Sequence, residues 1–421
     1  MKPVYKTCSS IIAALALVVN FSCMKDKATH TYTIQTPVVK TSTEIRKSIA
    51  TTAATSIRGT GKIFTLNNYI FLSEKDKGIH IIDNSNPASP RNAAFINIPG
   101  NRDMAVRGQY LYADAYGDLV SFDISNPLHA TPKNFFSNLF PDRWANGNAT
   151  TNPDSLLAIV DWITRDTTVD LNANLGQYCA TCPYLAGGIY TAAAANTSQS
   201  SGTAGSMSAF AIVADRLYTA SQNNLNVFDI SSGEIPILTN TMQLNWSVET
   251  AYPFRDKLFV GSNSGVYMLD LKSDPDHPNS IGQFAHARAC DPVVADGNYA
   301  YVTLSDGTWC MGNANELDII DISNINFNSW GYTIAYPMTN PKGLAKDGNS
   351  LFVCDGKEGL KVYDVSDIKK VKLTAHIGIG ATYDVIANGG LAIVVASDGI
   401  YQFDYSKMPI ESISRIPINS N

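Results

Sequence analysis

The sequence predicts an all-β chain, a seven-bladed β-propeller of four-stranded blades, and three observations predict it. The first is a short pattern, apolar–any–any–apolar–Asp, that recurs seven times and ends at Asp83, Asp123, Asp229, Asp270, Asp321, Asp364 and Asp404. The second is its spacing: successive aspartates lie 40, 106, 41, 51, 43 and 40 residues apart. Self-similarity at about 40 to 50 residues marks a propeller or a solenoid. The third is what fills each interval, namely short apolar runs broken by turn residues, four to a repeat. Four strands in a 40-residue period select the propeller.

The second repeat shows the strand order. Asp103-Met104-Ala105-Val106 reads as a first strand turning at Arg107-Gly108-Gln109, and Tyr110 to Ala113 as a second turning at Tyr116-Gly117-Asp118. Leu119 to Asp123 is a third, and Ser125-Asn126-Pro127 leads to a fourth near Asn134 to Leu139. The same grammar recurs around Val293-Val294 with Tyr299 to Val302, and around Gly343-Leu344-Ala345 with Leu351-Phe352-Val353. Removing one period from the 106-residue interval leaves an insertion of about 65 residues, 141–205, between blades 2 and 3. The 51-residue interval holds a smaller one, 306–316, between the second and third strands of its blade. In a propeller both connections open on one face. Loops held by a rigid scaffold are where function usually sits.

The ends differ from the repeats. Lys2 and Lys6 precede an apolar run from Ile11 to Val19, too short to span a bilayer, which reads as an export signal. Ser22-Cys23 follows, then the polar Met24-Lys25-Asp26-Lys27. That order resembles a bacterial lipoprotein signal, in which the cysteine is acylated, although Asn20 and Phe21 depart from the usual residues before it. The expected organisation is a signal over 1–23 with Cys23 as lipid anchor, a polar tether over 24–57, and a propeller over 58–421. Within the tether, Thr41 and Glu44 have capping-box spacing for one short helix. The ring is expected to close either with Ser412 to Ile418 alone or with an added strand such as Tyr32 to Thr36.

The stretches Gly61-Lys62-Ile63-Phe64, Lys77 to Pro87 and Ile98-Pro99-Gly100-Asn101 resemble the LVIVD-repeat proteins, bacterial exported β-propellers. Cys290 to Val294 and Cys354 to Lys361 extend the likeness. The resemblance implies an envelope lipoprotein of unassigned activity, and the expected location is the outer membrane, facing periplasm or exterior. It brings no catalytic residues to carry over.

Composition narrows the function classes. A net charge of −6 without a basic stripe argues against nucleic acid as a partner. The seven strand-ending aspartates are expected to accept backbone N–H bonds two residues on, as Asx-turns do. The acids opening innermost strands, Asp103, Glu249, Asp291 and Asp384, are expected around one mouth of the channel. There they could hold Ca²⁺ or a polyhydroxyl ligand, or stand solvated beside Arg102 or Lys342. Crowding would raise their pKa values. Of seven cysteines, Cys179 with Cys182 and Cys290 with Cys310 are the expected disulfides in an oxidising compartment, leaving Cys354 free, with Cys310–Cys354 the alternative. No P-loop, nucleophile elbow or dinucleotide fingerprint is present.

The expected function is therefore binding or scaffolding by a monomer, for a glycan or protein ligand, through the insertion-decorated face. Trp144, Trp162, Tyr178, Tyr184, Tyr190 and Trp309 would form the platform. The alternative is a metal-dependent hydrolase or lyase using the channel carboxylates with His286.

Overall fold

The computed structural model describes residues 29–150, 152–170, 203–244, 247–262, 265–285, 292–306, 314–323 and 333–418. They divide between two compact units, the larger comprising 39–158 and 194–421 and the smaller 1–38 and 159–193.

The larger unit is the seven-bladed propeller. Every blade has four sequential antiparallel strands running outward from the first, and blade 1 gains one further strand at each edge. Those first strands are Ile63–Leu66, Met104–Arg107, Phe210–Val213, Val248–Phe254, Val293–Asp296, Leu344–Asp347 and Thr382–Asn388. Each touches the next, and the seventh touches the first, so the ring is complete. Apolar side chains of neighbouring blades fill the seams: Phe64, Phe71 and Ile79 of blade 1 pack with Met104, Val106 and Val120 of blade 2. Ile63, Ile70 and Leu72 on the other side of blade 1 pack with Ile386, Ile393 and Val395 of blade 7. Each sheet thus buries both faces, which is why most positions of the second and third strands are buried.

The recurring pattern has a local cause. Its aspartate ends the third strand and accepts the backbone N–H two residues on, at 2.8–3.5 Å, in all seven blades. The expected Asx-turn is what the aspartates make. In six blades a bulge separates third and fourth strands at the same place, adding twist where the sheet reaches its outer edge. Gly78 and Gly359 open third strands with positive φ, and a Cβ would stand 2.0 and 2.3 Å from the carbonyl oxygens of Ile96 and Ile377.

Blade 7 is built wholly from the C-terminal segment, ending with Glu411–Pro417. Tyr32 to Thr36 is not its extra strand. That stretch belongs to Thr29–Thr41, which pairs with Leu157–Asp170 from the large insertion. The seam between blades 7 and 1 is held instead by side chains. Asn84 and Gln402 exchange amide hydrogen bonds at 3.0 and 2.8 Å, and Ser414 Oγ donates to the Pro87 carbonyl at 2.6 Å.

Within the region expected as a tether, Thr29–Ala53 carries strands and a helix. Thr41 caps a helix over Ser42–Ser48 with the reciprocal Glu44 contact that its spacing predicts. Arg46 of this helix pairs with the buried Asp118 at 2.7 Å. Ala50–Ala53 then adds to the outer edge of blade 1. Composition favoured a tether because Thr and Ser are common in loops; here their hydroxyls and backbone serve an otherwise open sheet edge. Among the described residues no helix is long and apolar enough to cross a membrane.

Candidate functional site

The centre of the ring is crossed by the chain's own backbone. The large insertion returns to the propeller at Thr203–Ala204, which pairs with the innermost strand of blade 1 as an additional inner strand. Ser206 then bonds to two blades: its hydroxyl accepts the Leu344 N–H of blade 6 at 2.8 Å, and its N–H donates to Asp384 of blade 7. Ala209 donates its N–H to Asp103 Oδ2 of blade 2 at 3.0 Å, and the Ser208 carbonyl accepts from Ala251 of blade 4. Within seven residues this segment bonds to five blades. Strand pairing alone would have left these inner edges unpaired, and the segment satisfies them.

Beneath it lies a buried charge cluster. Lys62, Asp103 and Asp384 are 5%, 3% and 3% exposed. Burial pulls the Lys62 ammonium down, to about 8, while Asp103 and Asp384 hold it up. Burial likewise pushes Asp384 up, to about 7, against the Lys62 charge, and pushes Asp103 well above the usual carboxylate range. Asp384 sits between two glycines: a Cβ on Gly205 or Gly343 would lie 1.8 or 2.1 Å from its carboxylate oxygens. Cys354 is fully buried nearby with a free thiol, pushed up by burial and by the Asp384 charge.

A second carboxylate fixes the insertion's root. Asp114 Oδ1 accepts the backbone N–H groups of Arg102 and Asp103 at 2.7 and 2.9 Å and the Asn101 amide at 2.9 Å. Its other oxygen pairs with Arg143, where the insertion begins. Both ends of the insertion are therefore tied to carboxylates of blade 2, Arg143 to Asp114 and Ala209 to Asp103.

Of the four expected channel acids, the structure brings Asp103 and Asp384 together around Lys62. Glu249 stands partly exposed at the start of the blade 4 inner strand. Asp291, His286 and Trp309 lie outside the described residues, as do Cys23, Cys179, Cys182, Cys290, Cys310, Tyr178, Tyr184 and Tyr190. The partners expected for the acids are engaged elsewhere: Arg102 with Asp76 at 3.0 Å, Lys342 with Ser305 Oγ at 3.0 Å. Lys62 takes their place. It stands immediately before the strand Ile63–Leu66, and no pattern in the sequence marks it as inward-facing.

Trp144 does not belong to an exposed platform. It is 4% exposed and stacks on Tyr116 at 5.7 Å, filling the site beside Gly117. Trp162 is half exposed. Among the described residues, no group of three His, Cys, Asp or Glu side chains is arranged to hold a metal ion. A cleft of about 140 Å³ lies at the seam of blades 7 and 1, lined by Thr65, Asn67, Asn84, Asn388 and their neighbours.

The ring is a seven-bladed β-propeller, and three of its blades carry a recognisable repeat. The model of the LVIVD repeat family matches residues 58–94, 100–134 and 287–326, so the chain carries LVIVD repeats in blades 1, 2 and 5. No curated protein matches the sequence. Among solved structures, a protein from Lactobacillus plantarum is similar at 12% identity and TM-score 0.52, over 87% of this chain and 96% of that one. A periplasmic gluconolactonase from Pseudomonas aeruginosa is similar at 10% identity and TM-score 0.51, over 89% and 96%. At such identity these likenesses concern the fold alone.

Proposed function

We propose that this chain is a cell-envelope binding or scaffold module, anchored through a lipid on Cys23, that engages a glycan or protein ligand through the loop face carrying its insertions. The observation that carries the reading is the return segment, which bonds to inner strands of five blades. Asp103 and Asp384 give their oxygens to the return segment and to Lys62, whereas a general acid or base must lie within hydrogen-bond reach of a substrate. The chain's interior is thus committed to holding the insertion. What remains for recognition is the face on which the 141–205 and 306–316 connections leave the blades.

The hydrolase alternative rests on the same acids and would need them open on a shared concave site. A binding screen against glycans and peptides, using the chain lacking residues 1–23, separates the two. Replacing residues 171–200 by a short Gly-Ser linker, or Trp309→Ala, should abolish any hit. Hydrolysis of lactone or ester substrates that vanishes with Asp291→Ala would instead support the enzyme. In the oxidising envelope, Cys179–Cys182 and Cys290–Cys310 are proposed as disulfides. Thiol titration of the unfolded chain lacking residues 1–23 should then count one free group, from Cys354. Three or five would refute the pairing.

A further inference from the structure

The smaller unit offers an exposed ribbon with two unlike faces. Over Thr29–Thr41 and Leu157–Asp170 the chain forms a two-stranded sheet. One face of its outer half is polar and tied across the strands: Thr31 bonds Thr168 at 2.9 Å, and Thr33 donates to Asp166 at 2.8 Å. Alternation puts Tyr32, Ile34 and Ile163 on the opposite face. These three are 41%, 37% and 57% exposed. His30 stands edge-on to Tyr32 at 4.5 Å, and Arg165 shares the face by the same alternation. Trp162 and Val39, also exposed, alternate onto the other face and are not part of the contact argued here. A two-stranded ribbon has little stability of its own in water, and exposed apolar side chains on one side of it call for a partner.

The position of the anchor says which partner. Cys23 precedes Thr29 by six residues. Six residues span at most about 20 Å, so a lipid on Cys23 keeps the ribbon within that distance of the bilayer. Aromatic and aliphatic groups beside an arginine suit the headgroup region, where a ring can bury its body and a guanidinium can reach phosphate. Among the described residues the ribbon is a two-stranded sheet and not a closed barrel, a form that does not span hydrocarbon, so the contact is one with the interface. We infer that the Tyr32, Ile34 and Ile163 face of this ribbon lies on the phospholipid surface to which the chain is anchored.

This rests on the anchoring proposed above, and the test separates the two. The chain from residue 24 is given an N-terminal hexahistidine tag and held on vesicles of phosphatidylethanolamine and phosphatidylglycerol containing nickel-chelating lipid, which replaces the natural anchor. A benzophenone-bearing residue is introduced at position 34, 163, 33 or 166, and transfer of radiolabelled phospholipid is measured after illumination. Positions 34 and 163 should be labelled at least five-fold more than 33 and 166. Equal labelling, no labelling at any position, or protein–protein cross-links from position 34 would overturn the inference. Acylation of Cys23 is measured separately, by incorporation of labelled fatty acid in cells and its loss in Cys23→Ala. Failure there would remove the anchor without touching the cross-linking result.

Discussion

Lys62 is the residue on which the interior depends. It brings one positive charge among carboxylates that burial would otherwise protonate. Removing one member of a buried charge group leaves the others unpaired, at about 3–5 kcal/mol. Lys62→Met should destabilise by that order in urea unfolding, and Asp384→Asn added to it should restore part of the loss. Asp384 also has a pH signature. Its folded value of about 7 exceeds the ordinary 3.8, so between them the native state holds a proton the unfolded chain has released. Stability from this group is fully present below about 4 and is lost as pH rises through about 7. Wild type minus Asp384→Asn, measured from pH 4 to 8, should fall across that window. The seven Asx-turn aspartates act with opposite sign: hydrogen bonds from the serine two residues on depress most of them, and Asp270 takes its chief bond from Ser273. Their contribution is present above the ordinary carboxylate value and disappears below it. Asp321→Ala should cost about 1 kcal/mol, and Asp321→Asn less, because an amide oxygen still accepts the Ser323 N–H.

Among the elements, the third strands and their turns were legible because their signal is local. An aspartate accepting a bond two residues on, and Thr41 capping a helix through Glu44, need nothing from elsewhere in the chain. The return segment was not legible, since its partners Leu344, Asp384, Ala251 and Asp103 lie more than 40 residues away in either direction. Trp144 was read as exposed because it opens an insertion, yet the Gly117 turn leaves a slot that its ring fills. The strand Thr29–Thr41 within the stretch expected as a tether was not legible for a similar reason: it finds its partner 120 to 140 residues further on, so composition alone could not reveal it. Gly205 tests the element directly. With Asp384 held from the other side by Gly343, an added methyl has no room, and Gly205→Ala should cost about 1–3 kcal/mol in thermal or urea unfolding.

At the scale of the molecule, blade count, ring order and the site of the long insertion were all readable from period and spacing, since a propeller repeats one supersecondary unit. What the period could not convey is that the insertion is also a part of the ring. It leaves through Arg143 on Asp114, comes back through Asp384 and Asp103, and supplies an inner strand to blade 1 beside the seam with blade 7. A ring whose last blade borrows no strand from the N-terminus is thereby held from inside as well as by the Asn84–Gln402 pair. The carboxylates Asp103 and Asp384 thereby become part of the packed interior, which under the proposed function leaves recognition to the outer loops. Hydrogen exchange of the Ser206 and Ala209 amides measures this most directly. They should exchange as slowly as Val385 and Met104 of the innermost strands, through opening of the whole propeller. Exchange within seconds, at the rate of an exposed loop, would mean that the channel stands open and that its carboxylates are available to a ligand after all.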